Sequence, residues 1–543
     1  MTYTEILADW KSNKKIEMLW KKQSSLWTGK DENKWLGWLD IVKGQHHRID
    51  EFLKIQEKFE KFKTIGLLGM GGSSLCPEVL AKTFGSAEGF PKLYILDSTD
   101  PAQVKSFEEK LDLDETCFIV ASKSGSTLEP NVFLEYFYDL AEKKNFIAIT
   151  DPGSAMEKKA LSLKFLDIFY GIPSIGGRFS AFSDFGIIPA LSIGVDVREY
   201  LAQAQLMVER CGPKVPLENN PGFNLGAELA SQTLGGRDKM TLISSPELSS
   251  LPGWIEQLVA ESTGKNGVGI IPIPEDDLQE PKYYGDDRHF VYLKLRDSEK
   301  NLDKEISSLK KAGFPVTIIE TEDIYDLGQE FYRWEMATAI AGAILKVNPF
   351  DQPDVEASKI ATRYLTEEFE KIGYLPHENS IFESGEIKLF ADERNFGQLM
   401  EAKPKSVPEY LAAHFGRAKV GDYIGLLAYI EMNSETERIL GKMKHKLQQS
   451  TKVATCIGFG PRFLHSTGQA YKGGPNTGVF LQITCDPQAD LQIPGQKFTF
   501  GVIEGAQALG DFQVLANRER RLLRVNIAGD LIKGLESLVQ ALA

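Results

Sequence analysis

Short apolar runs alternate with amphipathic segments along most of the chain, after a first stretch in which aromatic and aliphatic residues recur at helical spacing. That stretch, residues 1–60, is predicted to form packing helices without catalytic residues. Beyond it, each apolar run is followed by a helical or turn segment; the runs are "TIGLLGM", "KLYILD", "TCFIV" and "NFIAIT". This alternation predicts a parallel sheet with helices on both faces, in a first α/β domain over residues 61–212.

The same pattern restarts further along the chain and predicts a second domain of the same kind. Its strands are expected at "KMTLISS", "GIIPIP", "RHFVYLKL" and "PVTIIET", within residues 213–365. Residues 366–408 are polar and broken by proline, and they are predicted to be a connector. The alternation resumes over residues 409–543. The predicted fold class is α/β, with two doubly wound parallel-sheet (αβα sandwich) domains and a smaller C-terminal α/β domain.

Composition narrows the class of protein. A net charge of −14 argues against nonspecific nucleic-acid binding, which needs a basic surface. The cysteines are scattered without a CxxC pair, which is typical of buried thiols in a reducing cytosol and not of a disulfide framework or a zinc site. No run approaches the ~18 apolar residues of a membrane span, and the first residues do not resemble a signal peptide. A cytoplasmic protein with neither nucleic-acid nor membrane partners is expected.

The segment "ASKSGSTLEP", residues 121–130, is a predicted phosphate-binding turn. It lies between the buried strand "TCFIV" and an amphipathic helix expected after Pro130. Free N–H groups and the positive dipole at a helix N-terminus attract anions, and hydroxyl groups with one lysine complete a suitable pocket. The residues predicted to hold the phosphate are Ser122, Lys123, Ser124 and Thr127. The alternative is a helix N-cap with additional serines that bind nothing.

Two glycine-rich turns are candidates for the same site. The first strand ends in "GLLGMGGSSLCPEVL", where Gly72 lets the backbone approach a ligand and Ser73 opens the next helix. Its spacing fits neither the GxGxxG fingerprint nor a Walker A loop, and a purely structural turn is the alternative. In "SIGGRFSAFSDFGIIPAL", Arg178 follows two glycines and is suited to holding phosphate or stabilising negative charge on an oxygen. The alternative for Arg178 is a salt bridge between loops.

These three turns together resemble the phosphoglucose isomerase family, which is built from sugar-isomerase (SIS) domains. Two further segments fit the same family. "QLVAESTGKNGVG" places Glu261 near the end of a helix, and "NPFDQPDVEASK", with Gln352 and Lys359, resembles the second signature. The resemblance covers roughly residues 60–365, in the family's chain order. It implies two SIS-type domains and an aldose–ketose isomerase that interconverts glucose 6-phosphate and fructose 6-phosphate.

The resemblance also implies roles for the matched residues. Glu261 would be the base that moves a proton between adjacent carbons, and Arg178 would offset the negative charge of the enediolate. Lys359 would act with a histidine in opening the sugar ring, Ser73 would join the phosphate-binding hydroxyls, and Gly72 and Gln352 would contact substrate. No metal or other cofactor is expected, since the seven histidines show no ligand spacing. A sugar phosphate is the expected ligand and a homodimer the expected assembly.

The position of the histidine departs from the family pattern. Where bacterial relatives have an "LHSxGQ" segment between the glutamate and the lysine, this chain has "PEDDLQEPK", without histidine. A similar segment, "RFLHSTGQAYKGG", lies at residues 462–474. A comparable C-terminal extension occurs in the isomerase halves of transaldolase–isomerase fusion proteins. His465 is therefore predicted to complete the site, in preference to His289, which lies in the strand-like "RHFVYLKL".

Two other functions remain open. A bifunctional phosphoglucose/phosphomannose isomerase would use the same motifs, although Gln352 favours the glucose enzyme because the bifunctional branch tends to have a threonine there. A non-catalytic sugar-phosphate-binding regulator with SIS domains would keep "SKSGST" but would not need Glu261 and Lys359.

Overall fold

The structure is a computed structural model that describes residues 1–275, 277–298 and 302–542. Its N-terminal helices are α1 (Tyr3–Ser12), α2 (Lys15–Trp20), α3 (Trp38–His46) and α4 (Ile49–Gln56). Trp10 and Trp38 are buried in the same core as apolar side chains of the first and second sheets. These helices therefore pack on the body of the protein.

The first sheet is parallel, with the strand order β2-β1-β3-β4-β5. Its strands are β1 (Thr64–Gly69), β2 (Lys92–Leu96), β3 (Thr116–Ala121), β4 (Phe146–Thr150) and β5 (Asp167–Tyr170). The helices are α5 (Leu75–Phe84), α6 (Pro101–Glu108), α7 (Leu128–Leu140), α8 (Ala155–Leu163), α9 (Asp184–Ser192) and α10 (Val197–Arg210). Strand β5 was not predicted, because only Phe169 among its residues is buried. Helix α7 begins before Pro130, which a first helical turn tolerates.

The second sheet is also parallel, with the order β7-β6-β8-β9. Its strands are β6 (Lys239–Ser244), β7 (Ile271–Pro274), β8 (Arg288–Leu295) and β9 (Val316–Thr321). The helices are α11 (Pro221–Leu234), α12 (Leu251–Thr263), α13 (Asp303–Lys311), α14 (Leu327–Leu345) and α15 (Pro353–Ile372). Helix α14 is apolar and buried along most of its length. It is a core helix, and none of the described helices is both long and apolar enough to cross a membrane.

The third sheet has the order β10-β11-β15-β14-β12-β13, with β10 and β11 antiparallel to their neighbours. Its strands are β10 (Phe382–Ser384), β11 (Ile387–Phe390), β12 (Tyr423–Tyr429), β13 (Ala454–Phe459), β14 (Gly478–Cys485) and β15 (Arg521–Ile527). The helices are α16 (Glu393–Met400), α17 (Val407–Phe415), α18 (Ser434–Thr451), α19 (Gly468–Gly473), α20 (Phe500–Asn517) and α21 (Leu531–Ala541). The predicted α/β class with parallel sheets is confirmed, although the C-terminal sheet is six-stranded and not the smallest.

Residues 366–408 differ from the predicted connector. Helix α15 continues past residue 365, and β11 pairs with β15 in the third sheet. Ile387 and Leu389 are buried in the core of that sheet, whereas Lys388 and Phe390, which alternate with them, are only partly buried. Strand β11 is short and half-buried, with buried residues at every second position, and the charged residues around it hid this pattern in the sequence. The segment therefore belongs to the C-terminal domain.

The C-terminal domain packs against the first domain. Ile493, Phe498 and Phe500 lie in one apolar cluster with Phe133 of α7, and the rings of Phe133 and Phe500 are stacked with centroids 6.1 Å apart. Helix α20 also packs along α15. The last domain is thus held against elements that surround the carboxyl ends of the first two sheets.

Candidate active site

One cavity of about 1060 Å³ opens where the carboxyl ends of β1 and β3 meet α12 and α15. Ligands of doubly wound sheets bind at such strand ends. The cavity contains all the residues predicted from the sequence to form the site: Gly72, Ser73, Ser122, Lys123, Ser124, Thr127, Arg178, Glu261, Gln352, Lys359 and His465. Residues far apart along the chain are therefore brought together, although their roles stay predictions.

The glycine turn after β1 lies directly on the turn that carries Arg178. A Cβ atom on Gly72 would come within 2.1 Å of the carbonyl oxygen of Gly177. No larger residue fits without moving one of the two backbones. The glycine at position 72 therefore sets the distance between the first strand and Arg178.

Arg178 is buried and held by hydrogen bonds from every part of its guanidinium. Its Nε donates to Ser262 Oγ at 2.8 Å and its Nη1 to Gln352 Oε1 at 3.0 Å. Its Nη2 donates to the carbonyl oxygens of Pro349 (2.7 Å) and Asp351 (2.9 Å). Burial lowers the pKa of Arg178 from its ordinary value. The side chain is thus held rigidly, and its contacts include several hydrogen bonds besides the ion pair expected of a salt bridge between loops.

Glu261 lies on α12 beside Arg178, with only 7% of its surface exposed. Its Oε1 is 3.3 Å from Arg178 Nη1, and its Oε2 accepts a hydrogen bond from Gln257 Nε2 at 3.3 Å. Neighbouring residues on α12 are buried on nearly every side, which fixes the direction of the carboxylate. A carboxylate and a guanidinium at one cavity wall can accept a proton from carbon and stabilise charge on an adjacent oxygen.

A buried lysine, Lys265, lies four residues after Glu261, just beyond the end of α12, and was not predicted from the sequence. Lys265 Nζ is 2.9 Å from Asp351 Oδ1 and also donates to the carbonyl oxygen of Asn348. Burial, together with the charge of Arg178, lowers the pKa of Lys265 to about 7. Lys265 therefore fastens the segment whose carbonyl groups hold Arg178.

The predicted phosphate-binding turn forms another part of the cavity wall. Ser122 Oγ accepts from the Gly125 N–H at 3.2 Å, so this hydroxyl closes the turn. Ser124 and Ser126 hydroxyls are hydrogen-bonded to each other at 2.8 Å. Thr127 is the N-cap residue of α7, but its side chain makes no capping hydrogen bond. The hydroxyls and the N-terminus of α7 thus face the cavity, as an anion site requires.

Lys123 is less available to a phosphate than the sequence suggests. Its Nζ forms a close ion pair with Asp151, which follows β4, and lies 3.4 Å from the carbonyl oxygen of Pro173. Asp151 was not predicted, because only the fold places it next to "SKSGST". The positive charge at this turn is therefore shared between Asp151 and any anion that binds.

Helix α15 supplies Gln352 and Lys359. Gln352 is the N-cap residue of the helix and accepts from Arg178, as described above. Lys359 lies two turns further on the cavity side, where its Nζ donates to Glu356 Oε1 at 2.8 Å. The Lys359 side chain is 41% exposed, so its ammonium can reorient toward a ligand.

His465 comes from the C-terminal domain and reaches the cavity of the same chain. Its Nε2 is 2.9 Å from Glu129 Oε1, and its carbonyl oxygen accepts from Gln257 Nε2 at 2.8 Å. Glu129 is buried in the first turn of α7 and also accepts from Gln507 of α20 at 2.7 Å. Burial would raise the pKa of Glu129, but the charge and hydrogen bond of His465 hold it below its ordinary value. The hydrogen bond with Glu129 orients the imidazole ring of His465, and an imidazole so placed can donate or accept a proton.

Glu129 was missed in the sequence, although it follows the hydroxyl motif directly. A glutamate in a first helical turn is usually explained by the helix dipole, and its partner lies 336 residues away. Arg462 was missed in the same way. It forms an ion pair with Glu78 of α5 and lies 3.5 Å from Asp97 Oδ2, which fastens the His465 segment to the first domain.

His289 lies outside the cavity, on strand β8. It is 1% exposed, and its Nε2 is 2.9 Å from Thr317 Oγ1. Burial lowers the pKa of His289 to about 4, which keeps the ring neutral. Asp276 of the histidine-free segment "PEDDLQEPK" lies outside the described residues. Among the described residues, no group of three or more histidine, cysteine, aspartate or glutamate side chains is arranged to hold a metal ion.

Comparison with known proteins identifies relatives of most of the chain. The family model of phosphoglucose isomerase matches residues 45–270. A probable glucose-6-phosphate isomerase of Methanococcus maripaludis is 28% identical over 403 residues, covering 65% of this chain and 88% of the relative. The glucose-6-phosphate isomerase of Carboxydothermus hydrogenoformans is 27% identical over 396 residues, covering 61% and 85%.

Solved structures share the fold. A glucose-6-phosphate isomerase of Chlamydia trachomatis superposes with a TM-score of 0.56 at 19% identity, over 69% of this chain and 87% of its own. A hypothetical protein of Thermus thermophilus reaches a TM-score of 0.58 at 23% identity, over 67% of this chain and 96% of its own.

The doubly wound parallel sheets, with a cavity at their carboxyl edge, define a protein of the α/β class. The family model of phosphoglucose isomerase matches residues 45–270, so the resemblance seen in the sequence is confirmed over that part of the chain. The matched range includes Arg178 and Glu261 but ends before Lys359 and His465. The proposed roles of those two residues therefore depend on the sequence segments that contain them and on their place in the cavity.

Proposed function

We propose that this chain is a glucose-6-phosphate isomerase, which interconverts glucose 6-phosphate and fructose 6-phosphate in glycolysis and gluconeogenesis. The observation that carries the proposal is the grouping of Glu261, Arg178, Lys359 and His465 around one cavity with a hydroxyl-lined helix N-terminus. Such a set suits a phosphorylated sugar and proton transfer next to a carbonyl. The names of the relatives support the same reaction.

The chemistry begins with ring opening. His465, oriented by Glu129, gives a proton to or takes one from the ring, and Lys359 acts as its counterpart at the other oxygen. Glu261 then moves a proton between carbon 2 and carbon 1. Arg178 stabilises the negative oxygen of the enediolate because its guanidinium is already fixed beside Glu261. Phosphate binding at α7 holds the two carbons in place.

A coupled assay with purified protein tests the function. Glucose 6-phosphate and fructose 6-phosphate are expected to interconvert, and chelation by EDTA should leave the rate unchanged because none of the steps above uses a metal. Mannose 6-phosphate, assayed separately, distinguishes the bifunctional alternative, for which it would turn over at a comparable rate. Binding of these sugars without turnover of any of them would indicate a regulator and contradict the proposal.

Removing two hydroxyls of the phosphate-binding turn should weaken binding far more than chemistry. For Ser124→Ala combined with Thr127→Ala, we expect the Michaelis constant to rise about 100-fold, since each hydroxyl loses a hydrogen bond to a charged group. The value of kcat should fall much less. Ser231→Ala combined with Thr233→Ala, on α11 and outside the cavity, is the control. Unchanged affinity of the first variant for an unreactive sugar-phosphate inhibitor would exclude this turn as the phosphate site.

We also propose a cellular location and an assembly for the protein. The net charge of −14 and the cysteines, none of them disulfide-bonded, support a cytoplasmic enzyme without nucleic-acid partners. The homodimer rests on the family resemblance alone. His465 reaches the cavity from the same chain, so a dimer would not be needed to supply it.

A further inference from the structure

Gln469 lies four residues after His465, and its amide group is completely buried between three separate parts of the chain. Its Oε1 accepts from the backbone N–H groups of Asp354 at 2.9 Å and Val355 at 3.3 Å. Its Nε2 donates to the carbonyl oxygen of Gly264 at 3.0 Å and to Asp354 Oδ2 at 2.7 Å. All the donors and acceptors of the amide are thus used in joining segments distant in sequence.

The first pair of contacts fixes the start of α15. Asp354 and Val355 lie in its first turn, where backbone N–H groups have no partner within the helix. Gln469 supplies that partner in place of a local cap, since the side chain of the N-cap residue Gln352 makes no capping bond. The position of α15 determines where Gln352 meets Arg178 and where Lys359 faces the cavity.

The hydrogen bond from Gln469 Nε2 to the carbonyl oxygen of Gly264 fixes the end of α12, which carries Glu261. Gly264 is the C-cap residue of α12, and a Cβ atom there would lie 2.4 Å from Ala470 Cα. The backbones of α19 and this turn are therefore in contact, and Gln469 stabilises the contact through its hydrogen bond to Gly264. One turn before Glu261, Gln257 donates to the carbonyl oxygen of His465 at 2.8 Å. Two bonds thus tie the His465 segment to the helix of Glu261.

We propose that Gln469 is a positioning residue that fixes the positions of Glu261, Lys359 and His465 relative to one another. It contacts none of the reacting atoms and does not line the cavity. Its loss would let α15 and the His465 segment shift relative to α12, and a shift of about 1 Å can slow a reaction about 100-fold. This inference rests on the proposed function, but the contacts themselves can be tested without it.

The experiment compares Gln469→Met with Gln482→Met. Gln482 is a completely buried glutamine of the same domain, on β14, and its Nε2 donates to the Ala508 carbonyl oxygen at 2.9 Å. Both changes remove buried hydrogen bonds at nearly constant volume, so both should lower Tm. Only Gln469→Met should lower kcat about 100-fold with little change in the Michaelis constant, because the phosphate-binding turn is untouched. Gln469→Asn, which keeps an amide too short to join both helices, should behave in the same way.

Hydrogen exchange supplies a readout that does not depend on activity. In Gln469→Met, the amides of Asp354 and Val355 should exchange faster than in the wild type, whereas in Gln482→Met they should not. If the wild type fails to isomerise glucose 6-phosphate, the proposed function is wrong and this comparison still tests the contacts. Equal kcat in the two methionine variants, or unchanged exchange at the start of α15, would overturn the inference.

Discussion

Replacing Glu261 with glutamine is expected to lower kcat for glucose 6-phosphate by about 1000-fold, because the amide keeps the shape of the side chain but cannot accept a proton. The carboxylate is buried on a helix with little freedom to move and lies 3.3 Å from Arg178. Binding of an unreactive sugar-phosphate inhibitor, measured by calorimetry, should change little, since the substitution leaves the residues of the phosphate-binding turn unchanged. The rate is measured in the coupled assay.

Glu275→Gln is the matched control for this variant. Glu275 is also a buried carboxylate, its Oε2 lies 3.2 Å from Lys444 Nζ, and it does not line the cavity. Its replacement should lower Tm and leave kcat close to the wild-type value. If Glu261→Gln keeps more than a few per cent of the wild-type rate, Glu261 is not the base.

His465→Ala is expected to reduce turnover of the cyclic substrate by about 100-fold, since ring opening loses its proton donor or acceptor. Proton exchange on an analogue that cannot close a ring should be spared, because Glu261 and Arg178 remain in place. The two rates are compared by following deuterium uptake from solvent at the carbon next to the carbonyl. Equal losses on cyclic and open-chain compounds would show that His465 acts in the proton transfer itself.

His289→Ala is the control for the histidine. The buried, neutral ring of His289 contacts Thr317 and not the cavity, so its loss should lower Tm without changing kcat. An inactive His289→Ala together with an active His465→Ala would reverse the assignment. Deleting the C-terminal domain is not an equivalent test, because Phe500 covers apolar surface of the first domain.

The fold was predictable where strands are buried on both faces. Strand β3, for example, is apolar and β-branched along its length and fully buried, so its sequence alone identifies it. Strands β5 and β11 were missed, because each combines few buried residues with polar ones. The connector prediction failed for the same reason: charge and proline indicated a loop, and the partner strand β15 lies more than a hundred residues further on.

The candidate site was predictable where chemistry lies in short motifs. Arg178, with its glycines, and Ser124, with its hydroxyl neighbours, are recognisable without a structure. The partners that orient these groups were not, because Glu129, Asp151 and Gln469 each act through a contact with a residue distant along the chain. A single glutamate or glutamine in a helix can cap the helix, face solvent or bind a distant residue, and only the three-dimensional structure shows which of these contacts it makes.

Proton transfer between carbons 1 and 2 of the sugar defines the proposed reaction, and it is observed directly by NMR with glucose 6-phosphate in D2O. The wild type is expected to form fructose 6-phosphate and to introduce deuterium at carbon 2 of the glucose 6-phosphate that remains. Glu261→Gln should do neither while still binding the sugar. A wild-type protein that binds glucose 6-phosphate but neither converts it nor exchanges its carbon-bound proton would contradict the assignment of this cavity as an isomerase active site.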